Sequence, residues 1–123
     1  RKSGNLDTSK KYLHEALEIL ESISDQKEIS LTVYQLGRLA WTRGDLEAAQ
    51  SLHNRALEID VSLNRTPGIA YNQFCLGLIE EARGNEKRAF ELLMSAKRIF
   101  DNMGARKRVE RINEALERLG GHG

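Results

Sequence analysis

With 123 residues, the chain is long enough for one domain or one piece of a larger array, and its 40% hydrophobic content can supply a core. Charged residues at 30%, a single proline and few aromatics favour solvent-facing helices over sheets. A net charge of +1 gives no whole-chain reason to expect nucleic acid or an anionic membrane; the lone Cys75 excludes an intrachain disulfide and suits a reducing, cytoplasmic setting, and no apolar run approaches the roughly 18 residues that span a bilayer.

The chain repeats itself every 40 residues. Gly4, Gly44 and Gly84 are equally spaced, as are Ala16, Ala56 and Ala96, and Ile19, Ile59 and Ile99. Leu36-Gly37 recurs as Leu76-Gly77, and Ile29 and Ile69 recur as Val109. Small and apolar residues held in phase over such a period predict stacked helical units.

In chain order, residues 1–28 form a partial repeat. Lys2-Ser3-Gly4 aligns with the end of a helix in the later copies, so Gly4-Asn5 is expected to be a turn ahead of a single helix. The first helix of this copy is absent from the sequence, as expected of a piece cut from a longer array. Residues 29–68 form a full repeat. Ile29, Val33, Leu36, Leu39 and Ala40 make one apolar stripe, predicting a helix A over about 29–43. Gly44 suits a left-handed cap, and Asp45 offers its carboxylate to the exposed amides of the next helix. That helix B, about 46–62, carries Leu46, Ala49, Leu52, Ala56 and Ile59, with Leu63 just beyond. Asn64 to Gly68 break the pattern, and Pro67 can open the following helix.

Residues 69–104 repeat the scheme, with helix A over about 67–83, Asn85 in the capping place of Asp45, and helix B over about 86–101. Residues 105–119 give a terminal capping helix with Val109, Ile112, Leu116 and Leu119 as its stripe. Glu117 stands there where the other copies have Gly37 and Gly77. Residues 1–119 are expected to form one domain, and 120–123 a flexible tail. A glycine in mid-helix costs about 1 kcal/mol against alanine. Its recurrence at positions 37 and 77 predicts close approach of a neighbouring helix, with Ala56 and Ala96 facing it.

Leu36-Gly37 followed by Ala49 and Ala56, and Leu76-Gly77 followed by Ala89 and Ala96, resemble the tetratricopeptide repeat, whose signature is Trp-x2-Leu-Gly-x2-Tyr, then Ala-x3-Phe, then Pro, over about 34 residues. The Trp place holds Val33 and Gln73, the Tyr place Ala40 and Glu80, the Phe place His53 and Leu93, and the Pro is absent. The 40-residue period is similar to the longer-helix variant found in kinesin light chains and in many bacterial regulators. The resemblance implies an all-α solenoid of antiparallel helix pairs, a right-handed superhelix whose helices A line a concave face. It is specific for fold and unspecific for function.

On that implied face lie Leu31, Tyr34, Arg38, Trp41 and Thr42 of one helix A, Tyr71, Phe74, Leu78, Glu81 and Ala82 of the next, and Arg111, Glu114 and Arg118 of the cap. Tyr34, Arg38, Trp41, Tyr71, Phe74, Leu78, Arg111 and Arg118 are the expected partner-binding set, because aromatics and arginine anchor protein interfaces. The competing expectation is that several of these aromatics simply pack between adjacent helices. Relatives that clamp a terminal carboxylate need polar groups where Tyr34 and Phe74 stand, so an amphipathic helix or an extended peptide with acidic residues fits better.

No catalytic, metal or cofactor site is legible. His14 and His53 lack further ligands at metal spacing, and His53 takes a packing position. Cys75 is expected to be a small buried hydrophobe. Glu80-Glu81 is expected to be a solvated face, as are Arg106-Lys107-Arg108 and Arg111. The expected function is a non-catalytic scaffold for a protein or peptide partner, without membrane or nucleic-acid binding. The alternatives are the sensor segment of a larger signalling or transcription protein, binding a small molecule or signal peptide, and self-association through the open N-terminal face.

Overall fold

The computed structural model describes residues 2–22 and 25–120, with side chains from Asp7 to Ile19 and from Asp25 onward. Six α-helices make up the described residues: α1 Lys2–Ser22, α2 Gln26–Thr42, α3 Leu46–Ser62, α4 Thr66–Ala82, α5 Glu86–Met103 and α6 Arg106–Gly120. The starts of α2, α4 and α6 are spaced by 40 residues, and so are those of α3 and α5. The all-α helix-pair architecture read from the sequence is the one observed. Packing divides the chain into two compact units, Arg1–Leu63 and Asn64–Gly123. The first holds α1, α2 and α3; the second holds α4, α5 and α6.

Turn chemistry sets the helix ends. Gly44, Gly84 and Gly104 have φ of 81°, 86° and 73°, the left-handed conformation that a Cβ disfavours. At each, two backbone bonds close the preceding helix. The Gly44 amide donates to the Trp41 carbonyl and the Asp45 amide to that of Ala40 (both 2.9 Å), and the pattern recurs at Gly84-Asn85 and Gly104-Ala105. Asn64 takes the same place with φ 54°. Asp45 then caps α3, accepting from the Ala48 amide at 3.1 Å.

Several local expectations are corrected. Gly4-Asn5 is no turn; both residues lie inside α1. Helix α2 begins at Gln26, ahead of the apolar stripe, because Asp25 accepts from the Glu28 amide at 3.2 Å and so moves the start upstream. Asn85 makes no capping bond to α5. Its Nδ2 donates instead to Glu80 Oε1 at 2.7 Å. Gly120, expected in the tail, ends α6, and residues 121–123 lie outside the described residues.

The glycines at 37 and 77 do mark close approach, but to other residues than expected. A Cβ on Gly37 would lie 2.7 Å from His53 Nε2, and one on Gly77 would lie 2.8 Å from Leu93 Cγ. The side chain in the Phe place of the signature, and not Ala56 or Ala96, fills the notch. Ala56 and Ala96 are fully buried elsewhere in the two cores. Leu17, Ile29, Val33, Leu36 and Ala56 form the first core. The second is built from Phe74, Leu93, Ala96, Phe100, Ile112 and Leu119 with Ala70, Ala89 and Ala115.

Candidate protein-interaction faces

The first unit offers an open stripe on α2. Leu31 (40% exposed) and Trp41 (41%) are large hydrophobics in contact with solvent, and Arg38 is exposed between them. Spacings of seven and three residues put all three on one side of the helix. Thr42, also exposed, donates its Oγ1 to the Arg38 carbonyl at 3.0 Å. Tyr34 is half-buried. Its ring meets that of His53 edge-on, with centroids 5.3 Å apart, so His53 is a packing residue as expected.

The second unit uses the corresponding residues internally. Phe74 is only 7% exposed and belongs to the core, so its expected place in a groove is corrected. Tyr71 is half-buried, edge-on to Phe100 at 5.2 Å, with the Arg108 guanidinium 5.0 Å from its ring centroid. Leu78 packs against the same core. Glu80 and Glu81 are not a solvated face: Glu80 is buried, and Glu81 accepts two bonds from Arg118, both 2.8 Å. That hydrogen bonding raises the Arg118 pKa above its ordinary value, outweighing slight desolvation, and the Glu81 and Glu114 charges add to it. Ala82, Arg111 and Glu114 are exposed. The basic run Arg106-Lys107-Arg108 is solvent-facing as expected, apart from the stacking of Arg108 on Tyr71.

Cys75 is half-buried rather than buried. His14 is exposed on α1, and among the described residues no three His, Cys, Asp or Glu side chains gather where a metal could sit. None of the described helices is long and apolar enough to cross a membrane.

Sequence periodicity did not show the polar contacts that brace these faces. Ser30 Oγ donates to Asp60 Oδ1 at 2.7 Å inside the first core, and Arg43 pairs with Asp7, tying α2 to α1. One local hint was that Ser30 follows Ile29 directly, at the edge of an apolar helix face.

Helical hairpins spaced by 40 residues, each notched by a glycine that admits a side chain of the next helix, define a helical-repeat protein. A tetratricopeptide repeat family model matches residues 1–60, and α4–α5 reproduce the notch of α2–α3 beyond that span. Over residues 1–60 the chain is similar to the tetratricopeptide repeat family. No curated protein matches it. Tetratricopeptide repeats are in general protein–protein interaction modules, commonly scaffolds without catalysis of their own.

Proposed function

We propose that the chain holds a peptide or amphipathic helix on the α2 face of its first unit, with Trp41 and Leu31 as apolar anchors and Arg38 pairing with an acidic residue of the ligand. The observation behind this reading is the coincidence of two exposed large hydrophobics and an arginine on one side of α2. Tryptophan and arginine are the residues most enriched among interface hot spots. A rigid helix presents them in place, so little ordering is required on the protein side. In the second unit, Tyr71, Leu78 and Arg118 are already engaged within that unit and are not part of this site.

Trp41 is the only tryptophan, so intrinsic fluorescence reports on the proposed site directly. Peptides selected from a random 15-residue library on the intact chain are expected to shift or quench its emission on titration. Followed by anisotropy of fluorescein-labelled peptide, since the variant lacks the tryptophan, Trp41→Ala should weaken those peptides by about 30-fold, the equivalent of a hot spot of ~2 kcal/mol, and Arg38→Glu should select against acidic ligands. Peptides that bind both variants as tightly as the parent, with melting unchanged, would place the binding site elsewhere.

A further inference from the structure

Of the two described histidines, His14 is exposed on α1, whereas His53 is only 1% exposed. The His53 imidazole fills the notch at Gly37, where a Cβ would stand 2.7 Å from Nε2, 2.8 Å from Cδ2 and 2.9 Å from Cε1. The α2 backbone therefore lies directly over the Nε2 end of the ring, and Tyr34 meets the ring edge-on. Ala49, His53, Ala56 and Asp60 make one buried stripe of α3. One period later the stripe reads Ala89, Leu93, Ala96 and Phe100, also buried. The second hairpin closes around its notch, at Gly77, with a leucine that takes up no proton.

We infer that His53 makes the α2–α3 hairpin an acid-sensitive latch, closed around a neutral imidazole and released when the ring is protonated, while α4–α5 stays closed. Protonation adds a full charge at a place that solvent barely reaches, and the cost of burying it falls on the closed hairpin alone. In the opened hairpin the ring stands in water and takes up its proton near the ordinary histidine value of about 6.5. The open form thus binds more protons below that pH. Closure is favoured above it and lost as the pH falls through it.

The charges around the ring do not offset this cost. Within the unit, α2 packs along α3 and α1 along α2. From α2, Tyr34 brings no charge in this pH range, and Arg38, next to Gly37, is exposed and has the same sign as an imidazolium. Lys27 and Glu28 are exposed at the far end of α2. Asp60 is the acidic group of the buried α3 stripe. It lies two turns from His53, about 10 Å along the helix, and its Oδ1 accepts from Ser30 Oγ at 2.7 Å. Glu47, Arg55 and Glu58 of α3 are exposed, as are Lys10, Lys11, Glu15 and Glu18 of α1, where water and salt screen them. The outer side of α2 carries Leu31, Arg38 and Trp41, so opening the latch also loosens the surface proposed above to hold a peptide. That consequence rests on the binding reading; the latch itself does not.

Hydrogen exchange of the intact chain without ligand, read by mass spectrometry at pH 7.5 and 5.0 and corrected for intrinsic exchange rates, resolves the two hairpins separately. This window spans ordinary histidine titration and stays above that of ordinary carboxylates. Opening of residues 26–62 should rise by about 30-fold at pH 5.0, the ratio of charged to neutral imidazole for a group titrating near 6.5. Opening of residues 66–103 should change by less than about twofold, since Leu93 fills that notch. His53→Leu puts into the first notch the residue that already fills the second, so the variant should fold and open equally at both pH values. Ser30→Ala with Asp60→Phe keeps His53 and should keep the rise. Opening of 26–62 that is unchanged or reduced at pH 5.0 overturns the inference. So does a rise that His53→Leu retains, one that α4–α5 shares equally, or one lost with Asp60, which would assign the proton to that carboxylate. No peptide is present in the measurement, so failure of the α2 stripe to bind one leaves its outcome unaffected.

Discussion

The α2–α3 hairpin of the first unit and the α4–α5 hairpin of the second share one backbone plan and fill its paired positions with different chemistry. Positions 30 and 60 hold a buried hydrogen-bonded Ser30–Asp60 pair in the first unit. The same positions one period later, 70 and 100, hold Ala70 and Phe100, also fully buried. Tyr34 and His53 become Phe74 and Leu93, and on the outer stripe Leu31, Arg38 and Trp41 become Tyr71, Leu78 and Glu81. The first unit has a partly polar core and an open α2 stripe. The second puts Ala70 and Phe100 at that pair, buries Asn72 and Glu80 elsewhere, and has a corresponding stripe tied down by Phe100, Arg108 and Arg118. What the repeat conserves is the notch at Gly37 and Gly77 and the alanines around it. The paired positions are free to vary, provided both partners change together, since a lone buried polar group loses its bond while a matched pair of either kind is satisfied.

Exchanging the pairs probes that comparison most severely. Ser30→Ala removes the hydroxyl from a buried carboxylate and should lower stability by about 2–3 kcal/mol in urea unfolding. Ser30→Ala with Asp60→Phe installs the second unit's pair and should recover most of that loss. A double variant less stable than the single one would show that the two cores differ in shape as well as polarity.

The notch ranks next. Gly77→Ala gains about 1 kcal/mol of helix propensity but sets a Cβ against the Leu93 branch point. A net destabilisation of about 1–2 kcal/mol is expected from overpacking. Leu93→Ala in the same background should make the second substitution nearly neutral, and thermal melts of the four proteins in the cycle give the coupling directly.

The smallest effect is expected at Arg118. Its bond to Glu81 is bidentate but half-exposed, so Arg118→Ala should cost no more than about 0.5–1 kcal/mol, shrinking with added salt. A larger loss that salt does not diminish would show that the pair holds α6 in place and does not merely decorate it.

Helix type and number, most of the turns and the hairpin arithmetic were legible because they depend on neighbours within a few residues. Glycine at 44, 84 and 104 answers a backbone angle, and the i, i+3, i+4 stripes answer helical geometry. Asp25 was also legible in principle, as a capping residue three before Glu28, because a cap stands ahead of the apolar stripe that begins at Ile29. The binding face was legible only in outline. Periodicity placed Trp41 and Phe74 on the same expected surface, yet one is exposed and the other belongs to the core.

By itself, the sequence determined that this chain makes paired helices with a glycine notch, and that a glycine follows α2, α4 and α5. Tertiary structure alone decided what stands at the edges of each apolar arc. Side chains such as Tyr34, Tyr71, Phe74 and Leu78 flank the stripe, and whether they are covered depends on the helix that arrives beside them. The polar ties span Ser30 to Asp60, 30 residues apart, and Glu81 to Arg118, 37 apart. Such pairs form only once packing has brought two helices into register, so no local pattern announces them.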